Sequence, residues 1–268
     1  MPEVKRAPLP PLPKGVLPVD PFEKFQYLNV LFHSYGGLGK TTCLTSACYD
    51  ERTAPILVGD LEGGASLRFA LAPKDSYQIW PIKKVADIND MYTYLKSGDH
   101  PYKSAALDSV TEIQKLGLSE FVYGAGAAYE FMDTVINLKS AEIQHWGKSA
   151  NQMGMMMRYF RDLKMHIFFT TLTIYDKDEV TGRNIHRIAL PGKQADEVPG
   201  IPDIVGYITQ RPKEGNRTET ERVVAFQPTA TIVAKDRTDS LGAAMVFEKD
   251  KPFIPMMLDT IWKHYGIG

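Results

Sequence analysis

The chemistry legible in this chain starts at residues 34–42, Ser-Tyr-Gly-Gly-Leu-Gly-Lys-Thr-Thr, which follow the apolar run Tyr27–Phe32. Gly36, Gly37 and Gly39 carry no side chain and tolerate positive φ. Successive backbone N–H groups in such a turn can point at the oxygens of a bound phosphate. Cys43 to Cys48 reads as a helix, whose N-terminus adds partial positive charge. Lys40 is placed to reach the β and γ phosphates of a nucleotide, and the Thr41 hydroxyl to ligate Mg2+. Ser34, Tyr35, Leu38 and Thr42 complete the expected cradle. The full pattern G-x-x-x-x-G-K-[ST] would begin with glycine at position 34. Ser34 makes that turn with less freedom.

Further residues fall where such a phosphate loop needs partners. Glu62 lies in Asp60-Leu61-Glu62-Gly63-Gly64, just past the apolar run 55–60. Ligands of parallel α/β sheets sit at the carboxyl ends of strands. That puts Glu62 beside the γ-phosphate, where a carboxylate can orient and deprotonate an attacking water. A solvated loop acid is the plainer alternative. Asp108 ends the run 103–108 and is expected to hold Mg2+ through water, opposite Thr41. The alternative is a cap on the helix that starts near Thr111. Ser109, not an acid, follows Asp108, so the base role falls to Glu62, with Glu112 as second choice. Thr170 and Thr171 end a later apolar run, and Thr171 is the expected nucleotide contact. The β-propensity of threonine alone would also explain the pair. Lys235 and Arg237 lie two apart, so on an extended segment they point the same way. Paired cations suit a polyphosphate; a solvated strand end is the alternative.

These residues need a scaffold that gathers strand ends. Apolar runs at Tyr27–Phe32, 55–60, 78–82, 103–108 and 165–171 alternate with helical spacers, those over 87–96 and 148–164 among them. Such alternation predicts an α/β fold, a mostly parallel twisted sheet with helices on both faces. Later strands are expected at 204–210, 222–226 and 231–234, a hairpin and loop over 172–200, and a last helix over 255–265. Met153, Met156, Met157, Phe160 and Leu163 fall near helical spacing and read as core packing. His166 reads as a packed histidine at a strand edge. Residues 1–22 hold seven prolines and read as an extended or disordered arm, leaving 23–268 as one domain.

At 268 residues and 44% hydrophobic, the chain can bury a sizeable core. A formal net charge of −1 leaves nucleic-acid binding to local patches. No apolar run approaches the about 18 residues of a membrane span, and the N-terminus lacks the apolar core of a signal peptide. Cys43 and Cys48, five apart on one helix, point to different sides. That disfavours a disulfide and fits a reducing, cytoplasmic setting. The histidines do not cluster at zinc-ligand spacing.

Together these residues resemble the RecA-like branch of P-loop ATPases, whose catalytic glutamate ends the strand after the phosphate-loop helix, as Glu62 does. The resemblance implies a RecA-like P-loop NTPase core that takes ATP and Mg2+. It also implies that Lys235-x-Arg237 is a finger reaching the ATP of an adjacent subunit, and hence a head-to-tail homo-oligomer, ring or filament. Within that branch the chain is most similar to small phage-encoded ATPases of the Sak-type single-strand annealing group. The shared segments are D-x-E-G-G at Asp60–Gly64, D-S-x-T-E at Asp108–Glu112 and A-K-x-R at Ala234–Arg237. The likeness covers about residues 26–245. It implies recombination or annealing on single-stranded DNA, in the cytoplasm of a bacterial host, with no membrane partner. By the same resemblance, loops near 117–147 and 172–200 face the DNA. The first carries Phe121, Tyr123, Tyr129, Lys139, Trp146 and Lys148; the second carries Lys177, Arg183, Arg187 and Lys193. Aromatics with interleaved cations are what single strands bind. A helicase-type motor or loader and a nucleotide-dependent assembly switch are the alternatives. A single-strand-binding protein as partner is left open.

Overall fold

The computed structural model describes residues 13–15, 26–123, 143–177, 182–248 and 251–267. The proline-rich arm over 1–22, apart from 13–15, lies outside the described residues, as do Tyr129 and Lys139. Strands β1 (Asn29–Ser34), β2 (Ile56–Asp60) and β4 (Ser104–Asp108) are buried at every position, because helices cover both faces. The remaining strands are β3 (Tyr77–Pro81), β5 (His166–Lys177), β6 (Asn184–Ile188), β7 (Ile204–Lys213), β8 (Asn216–Ala225), β9 (Lys235–Asp236) and β10 (Ala244–Val246). Helix α1 (Lys40–Thr45) runs into a 3-10 turn, Ser46–Tyr49. It is followed by α2 (Ala65–Phe69), α3 (Val85–Ser97), α4 (Val110–Tyr123), α5 (Ile143–Arg161), α6 (Gln194–Glu197) and α7 (Phe253–Tyr265).

The strand order is β10-β8-β7-β1-β5-β4-β2-β3, with β6 added to β5 and β9 to β7. β7, β1, β5, β4, β2 and β3 run parallel, β8, β6 and β9 run against them, and β10 pairs antiparallel with β8. This is the α/β class with a mostly parallel sheet that the alternation of elements predicts. β1 sends Leu31 to one core and Val30 and Phe32 to the other, as the two-residue period of a strand requires. The first core is closed by Met91 and Leu95 of α3, Leu116 of α4, and Met153, Met157 and Phe160 of α5. The second is closed by Cys43 and Leu44 of α1 and by Phe253, Met257, Leu258 and Ile261 of α7. Cys43 and Cys48 are buried free thiols.

The insertion of β5 between β1 and β4 sets the site. Phe32 pairs with Thr170, Phe169 with Leu107, and Asp108 with Asp60, so four strand ends meet at one level. Some elements differ from expectation. β5 runs on to Lys177 because β6 pairs with it from Thr173–Ile188 to Lys177–Asn184. Residues 231–234 form no strand; Ile232 makes one bridge to His186, and pairing moves to Lys235–Asp236 against the start of β7. β10 has three residues, too few to show a period in sequence.

Two buried histidines give the fold an acid limit. His33 Nε2–H donates to the Val233 carbonyl at 2.7 Å, and its Nδ1 accepts from Thr173 at 2.9 Å. His166 Nδ1 accepts the Leu28 N–H at 3.1 Å, a packed strand-edge role. Burial pushes each imidazole down to about 4. The unfolded chain takes up these protons near pH 6.5, so it binds more protons than the native state between about 6.5 and 4. Stability is therefore lost as pH falls through that window, by about 1.4 kcal/mol per pH unit for each histidine. Near its lower end, Asp60 and Asp108 oppose this, since burial raises both carboxyls. Urea unfolding as a function of pH is expected to show the slope, and His166→Gln to remove about half of it.

Candidate active site

β1 ends at Ser34, whose hydroxyl donates to the Tyr35 carbonyl at 2.8 Å. The chain then turns through Gly37 (φ +77°) and Gly39 (φ +101°), a left-handed path that glycine takes without strain. Gly36 was expected to share that freedom and does not use it. Lys40 opens α1 and is buried. Burial lowers its ammonium, while Glu62 and Asp108 pull it back up. Gly36, Gly37, Gly39, Lys40, Thr41 and Thr42 line an open cavity of about 440 Å³, together with Glu62, Gly64, Arg68, Leu172, Gln210 and Arg222. Leu38 packs against the second core. The Tyr35 hydroxyl reaches sideways to His186 Nδ1 at 3.0 Å.

Asp108 is buried at the end of β4. Its Oδ2 accepts from the Thr41 hydroxyl at 2.9 Å, and its Oδ1 from the Thr170 hydroxyl. Burial pushes this carboxyl up, and the two hydroxyls hold it back. Two hard oxygens thus sit side by side next to the lysine, the donor type Mg2+ takes. Neighbouring ligands around an octahedron of ~2.1 Å bonds lie roughly 3 Å apart, a spacing these two oxygens match. Among the described residues no group of three or more His, Cys, Asp or Glu could hold a metal. Thr41 and Asp108 thus offer two adjacent oxygen donors of the kind Mg2+ takes.

Glu62 is exposed on the loop after β2, and its Oε1 accepts from the Ser109 hydroxyl at 2.6 Å. That loop is pinned by Asp60, which accepts the N–H of Gly63 at 2.9 Å and of Ala65 at 3.3 Å. Glu112 is taken by Lys115 at 2.6 Å. The two threonines of β5 face opposite ways. Thr170 reaches Asp108, whereas Thr171, the expected nucleotide contact, is bonded to Thr111 of α4 at 2.7 Å and does not line the cavity. The two side chains are one residue apart, and a period of two puts them on opposite faces.

Lys235 and Arg237 are not brought to this cavity. Lys235 Nζ donates to the Pro199 carbonyl at 2.6 Å, and Arg237 Nη2 to the Gly200 carbonyl at 2.9 Å. Arg237 Nη1 also stands 3.5 Å from Asp203. Burial, then the charge of Arg237, pushes Lys235 down to about 8. Both residues sit beside the start of β7, while Gln210 in its second half lines the cavity. On the β5–β6 hairpin, Tyr175 is 60% exposed and Arg187 is paired with Asp176. Of the first aromatic group, Phe121 is exposed on α4, and Trp146 and Lys148 lie on α5, half-buried and exposed.

Sequence reasoning missed Asp60, Ser109, Arg68, Gln210 and Arg222. The first two were within reach, being neighbours of residues already singled out. Arg222 carries no local signal; it is one charge in the polar run 216–222.

A family model described as an AAA domain, AAA_24, matches residues 26–238. No curated protein matches the chain in sequence. Among solved structures it is similar to a prototypical type III secretion ATPase of pathogenic bacteria, at 15% identity over 68% of this chain and 52% of that one, TM-score 0.39. It is also similar to a KaiC-like protein from Pyrococcus horikoshii OT3, at 12% identity over 82% and 90% of the two chains, TM-score 0.44. A third is EscN from the enteropathogenic E. coli type III secretion system, at 15% identity over 69% and 43%, TM-score 0.43. The chain spans about half the length of the secretion ATPases it matches. No helix among the described residues is long and apolar enough to cross a membrane. With a family match over most of its length and a phosphate loop on a mostly parallel α/β sheet, the chain belongs to the AAA-domain family and carries an AAA-type ATPase domain.

Proposed function

We propose that this chain binds MgATP at the phosphate loop and hydrolyses it as a RecA-like ATPase of the Sak type, acting on single-stranded DNA in recombination or strand annealing. One observation carries the hydrolysis reading: Lys40, Thr41 and Glu62 line one cavity, and behind it Asp108, itself bonded to Thr170, accepts from Thr41 while Ser109 donates to Glu62. The loop N–H groups and Lys40 bind the β and γ phosphates. Thr41 and Asp108 would hold Mg2+, which would neutralise phosphate charge. Glu62 takes a proton from the water that attacks the γ phosphorus. The bond from that phosphorus to the β–γ bridging oxygen breaks, and ADP and phosphate leave.

Ser109 acts through Glu62 and touches no substrate. Ser109→Ala is expected to lower kcat about ten-fold, the worth of one hydrogen bond to a charged group, and to leave KM near its original value. Steady-state kinetics with ATP check this, and an equal rise in KM would point to a general loosening of the site.

The DNA half of the reading rests on the shared segments. It is supported by the exposed Tyr175 with Lys177 and Arg183 on the β5–β6 hairpin, which the Tyr35–His186 bond ties to the phosphate loop. Head-to-tail assembly would carry Lys235 and Arg237, remote from their own cavity, to a neighbour's. The test is ATP hydrolysis by wild type and Glu62→Gln, each with and without single-stranded DNA. Wild-type turnover that rises with DNA supports the reading. Turnover indifferent to DNA favours an assembly switch instead.

A further inference from the structure

Strand β8 brings to the phosphate loop a cation that no motif marks. We propose that the Arg222 guanidinium binds the nucleotide phosphate nearest Gly39 and Thr42, acting from within the same protomer. The inference rests on the nucleotide reading of the cavity and adds the residue that closes its far wall.

Arg222 lines the cavity with Gly39, Lys40, Thr42 and Gln210. Its Nη1 stands 2.6 Å from where a Cβ on Gly39 would be, so it reaches the bare backbone of the loop itself. Phe247 lies against the guanidinium, 5.2 Å from Cζ to the ring centroid, and its ring edge is 3.5 Å from the same point over Gly39. The Phe247 N–H bonds the Arg222 carbonyl at 2.8 Å, so one backbone contact holds both residues in register. Stacking on an aromatic face fixes the plane of a guanidinium and leaves its N–H edge available. Among the described residues no carboxylate pairs with that edge. Arg211, across the same pair of strands, is by contrast matched to Glu221 at 2.8 Å.

A half-buried guanidinium in a cavity that already holds Lys40 is unfavourable until an anion joins it. A polyphosphate supplies that charge, and the planar fork of arginine matches phosphate oxygens in pairs. Position decides which phosphate is bound. β8 and β2 lie on opposite sides of β1, so Arg222 and Glu62 approach the loop from opposite walls. With Glu62 taken as the base at the outermost phosphate, Arg222, on the other wall beside Gly39 and Thr42, addresses one that ADP shares with ATP.

The experiment measures binding of fluorescent ADP and ATP analogues, with Mg2+, to wild type, Arg222→Ala, Arg222→Lys and Lys40→Ala. Protein concentration is varied across assembly, and thermal unfolding shows which variants are folded. Arg222→Ala is expected to lose about ten- to a hundred-fold in affinity for both nucleotides, at every protein concentration, with Arg222→Lys in between. Arg222→Gln keeps a planar group over Phe247 and serves where the alanine variant is unstable. Unchanged ADP affinity in the folded variant overturns the proposal while Lys40→Ala still reports the nucleotide site. A loss confined to assembled protein makes the contact intersubunit and overturns it too. If wild type binds neither nucleotide, the nucleotide reading falls and this one with it.

Discussion

Glu62→Gln is expected to hold MgATP about as tightly as wild type and to hydrolyse it about a hundred- to ten-thousand-fold more slowly. The amide keeps the size of the carboxylate and can still accept the Ser109 hydroxyl that meets Glu62 at 2.6 Å. It cannot take a proton from water at neutral pH. Glu62 does not bond the residues that cradle the phosphates, so affinity and turnover separate. The loop stays in place because Asp60, not Glu62, holds the Gly63 and Ala65 N–H groups. Phosphate release and calorimetric ATP titration measure the two quantities. Near-normal hydrolysis would remove Glu62 as the base, although Glu112 is poorly placed to replace it while paired with Lys115.

The second large effect concerns Lys235 and Arg237. Changing both to alanine is expected to lower kcat about a thousand-fold or more, the range of an arginine finger. ATP affinity of the isolated protomer should hardly move, because both cations are bonded to the Pro199–Asp203 corner and not to their own cavity. Mixing this variant with Glu62→Gln tests the trans geometry. In a random head-to-tail assembly of equal parts, about a quarter of interfaces join an intact Glu62 to an intact finger. Activity should return to about that fraction, whereas two cis defects would give none. Lys235 adds a pH signature. Its ammonium, pushed down to about 8, is charged below that value and neutral above it. In unassembled protomers the charged form is therefore lost as pH rises through about 8, so turnover started by mixing subunits should begin more slowly above that pH, and Lys235→Arg should remove the delay.

Much of the site was legible because it is local. Residues 34–42 are consecutive, and strand, glycine turn and helix each leave a mark in the residues that form them. Glu62 and Asp108 were reachable by one further rule, that ligands gather where parallel strands end. The helices expected over 87–96 and 148–164 lie at 85–97 and 143–161, so period and apolar content gave their existence, and that of the buried strands, but not their ends.

What the sequence alone determined, then, was the element types, the phosphate loop and the acids at the strand ends. Only the tertiary structure decided which strands are neighbours, and the rest of the site follows from that. β5 enters between β1 and β4, so Thr170 meets Asp108, 62 residues away in sequence, while Thr171 turns to Thr111. β8 folds back beside β7, so Arg222 arrives over Gly39. Lys235 and Arg237 settle against backbone carbonyls because β9 pairs with the start of β7. Strand order and facing depend on long-range pairing and on a period of two, where one step reverses the side chain, and neither is encoded within a short stretch of chain.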